Sequence, residues 1–181
     1  MGQPEVPPRW EVATDPAEVH NLLIASDAEQ GSRYAIAPPQ RNLSSTMRRV
    51  EAGEVHLLRI GAEPAAAFTL SADPPFELGA GLFPPAVAPL YLSRLCVSPK
   101  HLRAGSLVGV RCLREAIRMA ENADADALRS QANPDFTDVL DMLTLHGFRP
   151  WGPIATHGPL RSVNMQKDLA VTTTRATFRR A

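Results

Sequence analysis

"LYLSRLCVSPKHLRAGSLVGVRCLREA", residues 90–116, decides how this chain folds. Its first eight residues alternate as a strand does, with Leu90, Leu92, Arg94 and Cys96 directed one way and Tyr91, Ser93, Leu95 and Val97 the other. Both faces are largely covered, which suits a central strand. From Leu107 to Asn122 the period lengthens to that of a helix: Val110, Leu113, Ile117 and Ala120 form an inward stripe, and Arg111, Arg114, Glu115, Arg118 and Glu121 occupy the opposite side. Gly105 and Ser106 sit at the join. The first amides of a helix lack intrahelical partners, and their summed dipole favours an anion. A glycine there adopts angles that other residues avoid and leaves the adjoining space empty. A single glycine is also what an ordinary turn before a Ser106 cap needs, with Lys100, His101, Arg103, Arg111 and Arg114 solvated around it.

Working outward, "ADALRSQ" (125–131) returns to a strand, so the helix becomes a crossover between two strands expected to pair in parallel. Asn133-Pro134 then caps a helix with Phe136, Val139, Leu140 and Leu143 inward, ended by Gly147. "FRPWGPI" (148–154) and "LRSVNMQKDL" (160–169) supply the last two strands. Upstream, residues 10–14 read as a first strand, and Asp15-Pro16 starts a helix carrying Val19, Leu22 and Leu23 on its inner face. A second helix ends near Gly53, and strands at 54–61 and 64–71 form an antiparallel pair. Residues 72–89 are too rich in proline and glycine for a helix or a central strand, and a loop of this length often shapes a binding site. The order gives a mixed α/β domain.

The 181 residues, 44% of them hydrophobic, suffice for one domain, here 10–170, with an extension at 1–9 and a loose basic tail at 171–181. Nineteen basic residues balance nineteen acidic ones, so no global field draws the molecule to nucleic acid or to an anionic membrane. The N-terminus has no export-signal pattern and no run approaches a membrane span, which leads us to expect a cytoplasmic protein. Cys96 and Cys112 lie in apolar periodic segments and read as buried, reduced thiols. The five histidines show no metal-ligand spacing, so no metal is expected.

"YLSRLCVSPKHLRAGSLVGVRCLREA" followed by "ALRSQANPDFTDVLDMLTLHGFRPWG" resembles the core of the GCN5-related N-acetyltransferase (GNAT) superfamily. The resemblance runs from Trp10 to Leu169 and implies the acyl-CoA N-acyltransferase fold: a mixed, mostly antiparallel sheet of about seven strands flanked by helices, with one splayed parallel pair. It further implies acetyl-CoA as cosubstrate. The family's pyrophosphate loop, Arg/Gln-x-x-Gly-x-Gly/Ala, falls on Leu102 through Leu107; Gly105 keeps its central glycine, while Leu102 and Leu107 depart from the pattern. By resemblance the cofactor meets the backbone of Arg103, Ala104, Gly105, Ser106 and Leu107, its pantetheine arm runs beside Leu95, Cys96 and Val97, and Asn133 belongs to the second cofactor segment. Many members carry a tyrosine proton donor four residues before the closing glycine, and that position is Leu143 here.

Acetyl transfer to an amine needs a held thioester, a route for the amine's proton and a donor for the departing thiolate. Tyr91 and Ser93 on the central strand and Glu77 on the long loop are the candidate catalytic groups. Each also has a plainer reading: Tyr91 as a packed ring with its hydroxyl bonded, Glu77 and its neighbour Asp73 as solvated loop acids. His146 suits a helix C-terminus. The expected acceptor is an amine of a small molecule or peptide, with no nucleic acid or membrane partner. The resemblance also implies pairing through late strands, which points to Val163 and Met165 as a homodimer contact. Two other readings stand beside the transferase: a weak or inactive acyl-CoA binder, suggested by Leu102, Leu107 and Leu143, and a protein-interaction domain using the proline-rich loop.

Overall fold

The computed structural model describes residues 7–76, 81–158 and 160–170. Along the chain these form β1 (Arg9–Val12), α1 (Pro16–Tyr34), α2 (Leu43–Glu51), β2 (Val55–Ile60), β3 (Glu63–Ser71), β4 (Pro89–Val97), α3 (Pro99–Arg103), α4 (Val108–Asn122), β5 (Ala127–Ala132), α5 (Thr137–Leu145), β6 (Arg149–His157) and β7 (Leu160–Asp168). The strands make one seven-stranded sheet in the order β1-β2-β3-β4-β5-β7-β6. β4 and β5 run parallel, as the crossover helix between them requires, and the other neighbours are antiparallel. This is the mixed, mostly antiparallel architecture expected above. No helix among the described residues is long and apolar enough to cross a membrane.

Local chemistry starts the elements where the sequence signals them. The Asp15 side chain accepts from the amides of Ala17 and Glu18 at 2.9 and 3.3 Å, with Pro16 opening the helix. Asn42 caps α2 through the Ser44 amide at 2.8 Å. Arg59 then ties three elements together, reaching Glu11 on β1 at 2.6 Å and forking onto Glu18 of α1 at 2.6 and 2.9 Å.

Two apolar layers lie on opposite faces of the sheet. Val19, Leu22 and Leu23 of α1 pack with Val50, Leu57, Ala67 and Cys96, while Leu113 and Ala116 of α4 pack with Phe68, Leu92, Leu143 and Phe148. Cys96 and Cys112 are free, buried thiols in different layers.

Three expectations need correction. Simple alternation along 90–97 fails because β4 carries a bulge: Ser93 pairs with Thr69 and Cys96 with Ala67, so Arg94 and Leu95 both face the single Phe68. Thr69 and Ala67 share a face, so Cys96 joins Tyr91 and Ser93 while Val97 joins Leu92, because one extra residue reverses every later side chain. Asn133 does not cap α5, which starts four residues later at Thr137; its side chain instead accepts from the Asp135 amide at 2.9 Å and closes a turn. Val163 and Met165 are no dimer contact, since both point into the α4-side core at 7% and 1% exposure.

Candidate functional site

β4 and β5 stay paired only from Pro89 opposite Ala127 to Leu92 opposite Ser130. Beyond that point β5 keeps its partner β7 as far as Ala132 opposite Val163, while Ser93 to Val97 diverge from it. A cavity of about 280 Å³ opens in the fork. Its walls are Ser26, Asp27 and Gln30 from α1, the β4 bulge, the end of β5 with Asn133, and Met142 and Leu143 from α5.

On the α1–α2 side the cavity is rich in charge. Gly31 makes this possible: a Cβ there would stand 2.6 Å from the Ile36 carbonyl oxygen, so only glycine lets the chain fold back tightly over the end of α1. The returning segment delivers Arg41 to Asp27, whose carboxylate accepts two bonds at 2.5 and 2.8 Å. That pairing raises the Arg41 guanidinium above its ordinary value against the opposing effect of burial. Arg94, at the bulge, has a left-handed φ of 52° and donates to the hydroxyls of Ser45 at 2.6 Å and Thr46 at 3.3 Å. Burial, then the neighbouring Arg41, Arg49 and Arg48 charges, lower its pKa. The Ser93 hydroxyl is buried with no partner among the described residues.

At the other end, the join between α3 and α4 differs from the simple loop expected. The amides of Ala104, Gly105 and Ser106 are already used, donating to the carbonyls of Lys100, Leu102 and His101 at 3.2, 3.1 and 3.1 Å. Ser106 is no helix cap either; its hydroxyl donates to the His101 carbonyl at 3.0 Å. The open donors therefore begin at the next residue, Leu107, whose amide has no acceptor among the described residues. Arg111 donates to the Leu107 carbonyl, but Val108, Gly109 and Val110 have no acceptor among the described residues, and α4 has no side-chain cap. Gly105 has φ 60° and open space where a Cβ would stand, and Leu107 is 70% exposed, so neither obstructs the helix opening. Gly109 faces Val97 and Met142, both lining the fork. A groove bounded by Glu29, Gln30, Arg103 and Gly105 shares Gln30 with the fork cavity and runs between α1 and α3, while a separate groove lined by Ser106, Leu107, Val108 and Arg111 lies at the helix start. Arg103 is paired there with Glu29 at 2.9 Å.

The sequence candidates divide accordingly. Ser93, Leu95, Val97 and Asn133 line the cavity, and Leu143 forms part of its wall. Tyr91 does not line it: the ring is buried, and its hydroxyl accepts from Arg129 at 3.1 Å. Cys96 turns its thiol into the α1-side core, where burial pushes its pKa up to about 12, so only its backbone is near the fork. Glu77 lies outside the described residues, and Asp73 is exposed. His146 bonds the Met142 carbonyl at 2.8 Å, the helix-end role expected. Among the described residues no group of His, Cys, Asp and Glu side chains could hold a metal ion. Asp27, Arg41, Arg94 and Gly109 were not singled out from sequence. Their only linear signals are a mid-helix glycine at 31, a V-G-V at a helix start and an arginine in an apolar strand.

No protein-family model matches the sequence, and no curated protein matches it. Solved structures do. A chain of the NatC complex bound to Gag peptide and CoA superposes with a TM-score of 0.67 at 10% identity, over 91% of this chain and 100% of that one. The ribosomal-protein-alanine N-acetyltransferase of Brucella melitensis gives 0.63 at 17% identity, over 89% and 99%. A GNAT-family acetyltransferase of Listeria monocytogenes gives 0.65 at 18% identity, over 90% and 95%. The chain has the GNAT acetyltransferase fold. In GNAT terms the fork between β4 and β5 is the splay expected from sequence, opened one residue before the bulge.

Proposed function

We propose that residues 10–170 form an acetyl-CoA-dependent N-acetyltransferase domain that transfers an acetyl group to an amine by direct attack within a ternary complex. The observation that carries this reading is the β4–β5 fork with the uncapped start of α4 beside it, Gly109 lying against Val97 and Met142 of the cavity wall. The two places suit two parts of an acyl-CoA: free amides for its diphosphate, and a cleft with polar groups for its thioester.

The cosubstrate supplies an activated acetyl carbonyl on a thiol leaving group. The residues of this chain do the rest. Val108, Gly109 and Val110 offer amides to the diphosphate, and Gly109 keeps the space beside Val97 and Met142 clear. The bulge at Arg94 and Leu95 displaces backbone from the β3 ladder beside the reacting carbonyl, where peptide donors stabilise developing negative charge. Ser93 brings a hydroxyl with no partner among the described residues to the same place. The Asp27 carboxylate is held by Arg41 and so anchors the wall rather than accepting the amine's proton. Leu143 has no proton to give, so the departing thiolate takes its proton from water or from the amine.

That last point favours one rival, an acyl-CoA binder with little turnover. Calorimetric titration with acetyl-CoA, followed by thiol release across an amine panel, separates the two. Saturable binding with release supports the transferase, binding without release supports the rival, and no binding at millimolar concentration sinks both.

A further inference from the structure

Arg94 is an expensive residue for this fold. Its left-handed backbone is strained at a non-glycine residue. Its guanidinium reaches only the two hydroxyls of Ser45 and Thr46, and no carboxylate pairs with it among the described residues. The acids nearby are engaged elsewhere, Asp27 by Arg41 and Glu54 by Arg49 at 2.7 Å. Burial and three neighbouring arginines disfavour its charge, yet nothing within the described chain neutralises it. Arg94 is half-buried, and a partly desolvated cation without an anion is costly, a shortfall that a charged partner with hydrogen bonds makes good. Arg94 and Arg41 border the same cavity as Ser93, whose buried hydroxyl also lacks a partner. An anion at this corner would satisfy both.

We propose that the acceptor amine carries a carboxylate, bound by Arg94 on the α2 side of the fork with the Ser93 hydroxyl as a second donor. The substrate class is then a small amino acid or a close derivative with a free carboxylate, a size that a cavity of about 280 Å³ admits. The inference rests on the transferase reading and names its acceptor. Arg94 has its Nη atoms on α2 hydroxyls and further N–H groups to offer, the planar arrangement that suits a carboxylate.

The test titrates the full chain, saturated with CoA, with amino acids and their primary amides as matched pairs. It is repeated with Arg94→Gln and Arg94→Lys. The acids should bind at least about tenfold tighter than their amides in the wild type, the worth of one charge-assisted contact. Arg94→Gln should bring that ratio to about one, and Arg94→Lys should retain part of it. Equal binding of acids and amides by the wild type, a preference that survives Arg94→Gln, or no acid binding while CoA binds would each overturn the proposal. Should Arg94→Gln fail to fold, an undiminished ratio in Arg94→Lys would overturn it as well. Failure of the wild type to bind CoA is a different result, which removes the transferase reading itself.

Discussion

The two halves of the β4–β5 pair treat their polar groups in opposite ways. Where the strands are closed, Arg129 is buried and bonded to Gln166 at 2.9 Å, to Tyr91 at 3.1 Å and to the Pro84 carbonyl at 2.6 Å, with the Phe83 ring centred 5.0 Å away. Asn164 and Trp151 on the adjoining strands hold the carbonyls of Leu82 and Gly81, so the described end of the proline-rich loop is strapped across this face. Where the strands part, Ser93 has no hydrogen-bond partner and Arg94 no counter-ion among the described residues, Arg94 has a strained backbone, and the Val97 amide resorts to the Ser26 hydroxyl at 3.2 Å. Buried polar groups are ordinarily paired, so the exceptions mark where the molecule expects something from outside. The closed half is structure, and the open half is site.

The contrast can be broken most forcefully at Arg129. Replacing it by Met leaves the Tyr91 hydroxyl, Gln166 and the Pro84 carbonyl short of a donor, and the domain should lose about 3 kcal/mol in a urea titration. A loss below 1 kcal/mol would mean that the closed half is not a cooperative network. In the open half the same kind of change should fall on binding instead. Gly105→Asp puts a negative charge beside the uncapped start of α4, and acetyl-CoA affinity measured by calorimetry should drop at least about tenfold, or 1.4 kcal/mol. Unaltered affinity would move the cofactor away from this helix.

Ser93→Ala sharpens the comparison because it should barely touch stability. Removing a desolvated hydroxyl with no partner should shift unfolding by no more than about 0.5 kcal/mol, while acetyl transfer falls. A marked destabilisation would reveal a partner for Ser93 and make the two halves alike. The smallest effect concerns acid. Burial works to raise the Asp126 carboxyl, but the Val87 and Ala88 amides, with Arg129 nearby, outweigh it and hold its pKa below the ordinary value. A depressed carboxyl contributes stability above its unfolded pKa and loses it as pH falls through the lower folded value. The protection of the Val87 and Ala88 amides, their exchange relative to the intrinsic rate at each pH, should therefore fall only in acid, and Asp126→Asn should remove that change in protection.

Much of the architecture was legible because its signals are local: a change of period after Gly105, Asp15-Pro16 at a helix start, a crossover that must be parallel. The bulge was not. Its cause is a two-against-one pairing with Phe68 of another strand, and no pattern within "LYLSRLCV" announces it. The same holds for the helix start, where Ser106 is a good cap by type yet bonds back to His101 because the short α3, opened by Pro99, consumes the turn. Val163 and Met165 alternate correctly but say nothing by themselves about whether the buried face meets a partner or the chain's own α4-side core.

By itself the sequence determined the periodicities, hence the order of strands and helices and the place of the crossover, because these depend on neighbours a few residues apart. Tertiary structure alone decided where β4 leaves β5, which amides stay open and which charges remain unpaired. Those outcomes depend on which groups meet across the sheet, and Asp27, Arg41 and Arg94 come together only after the chain has closed around them.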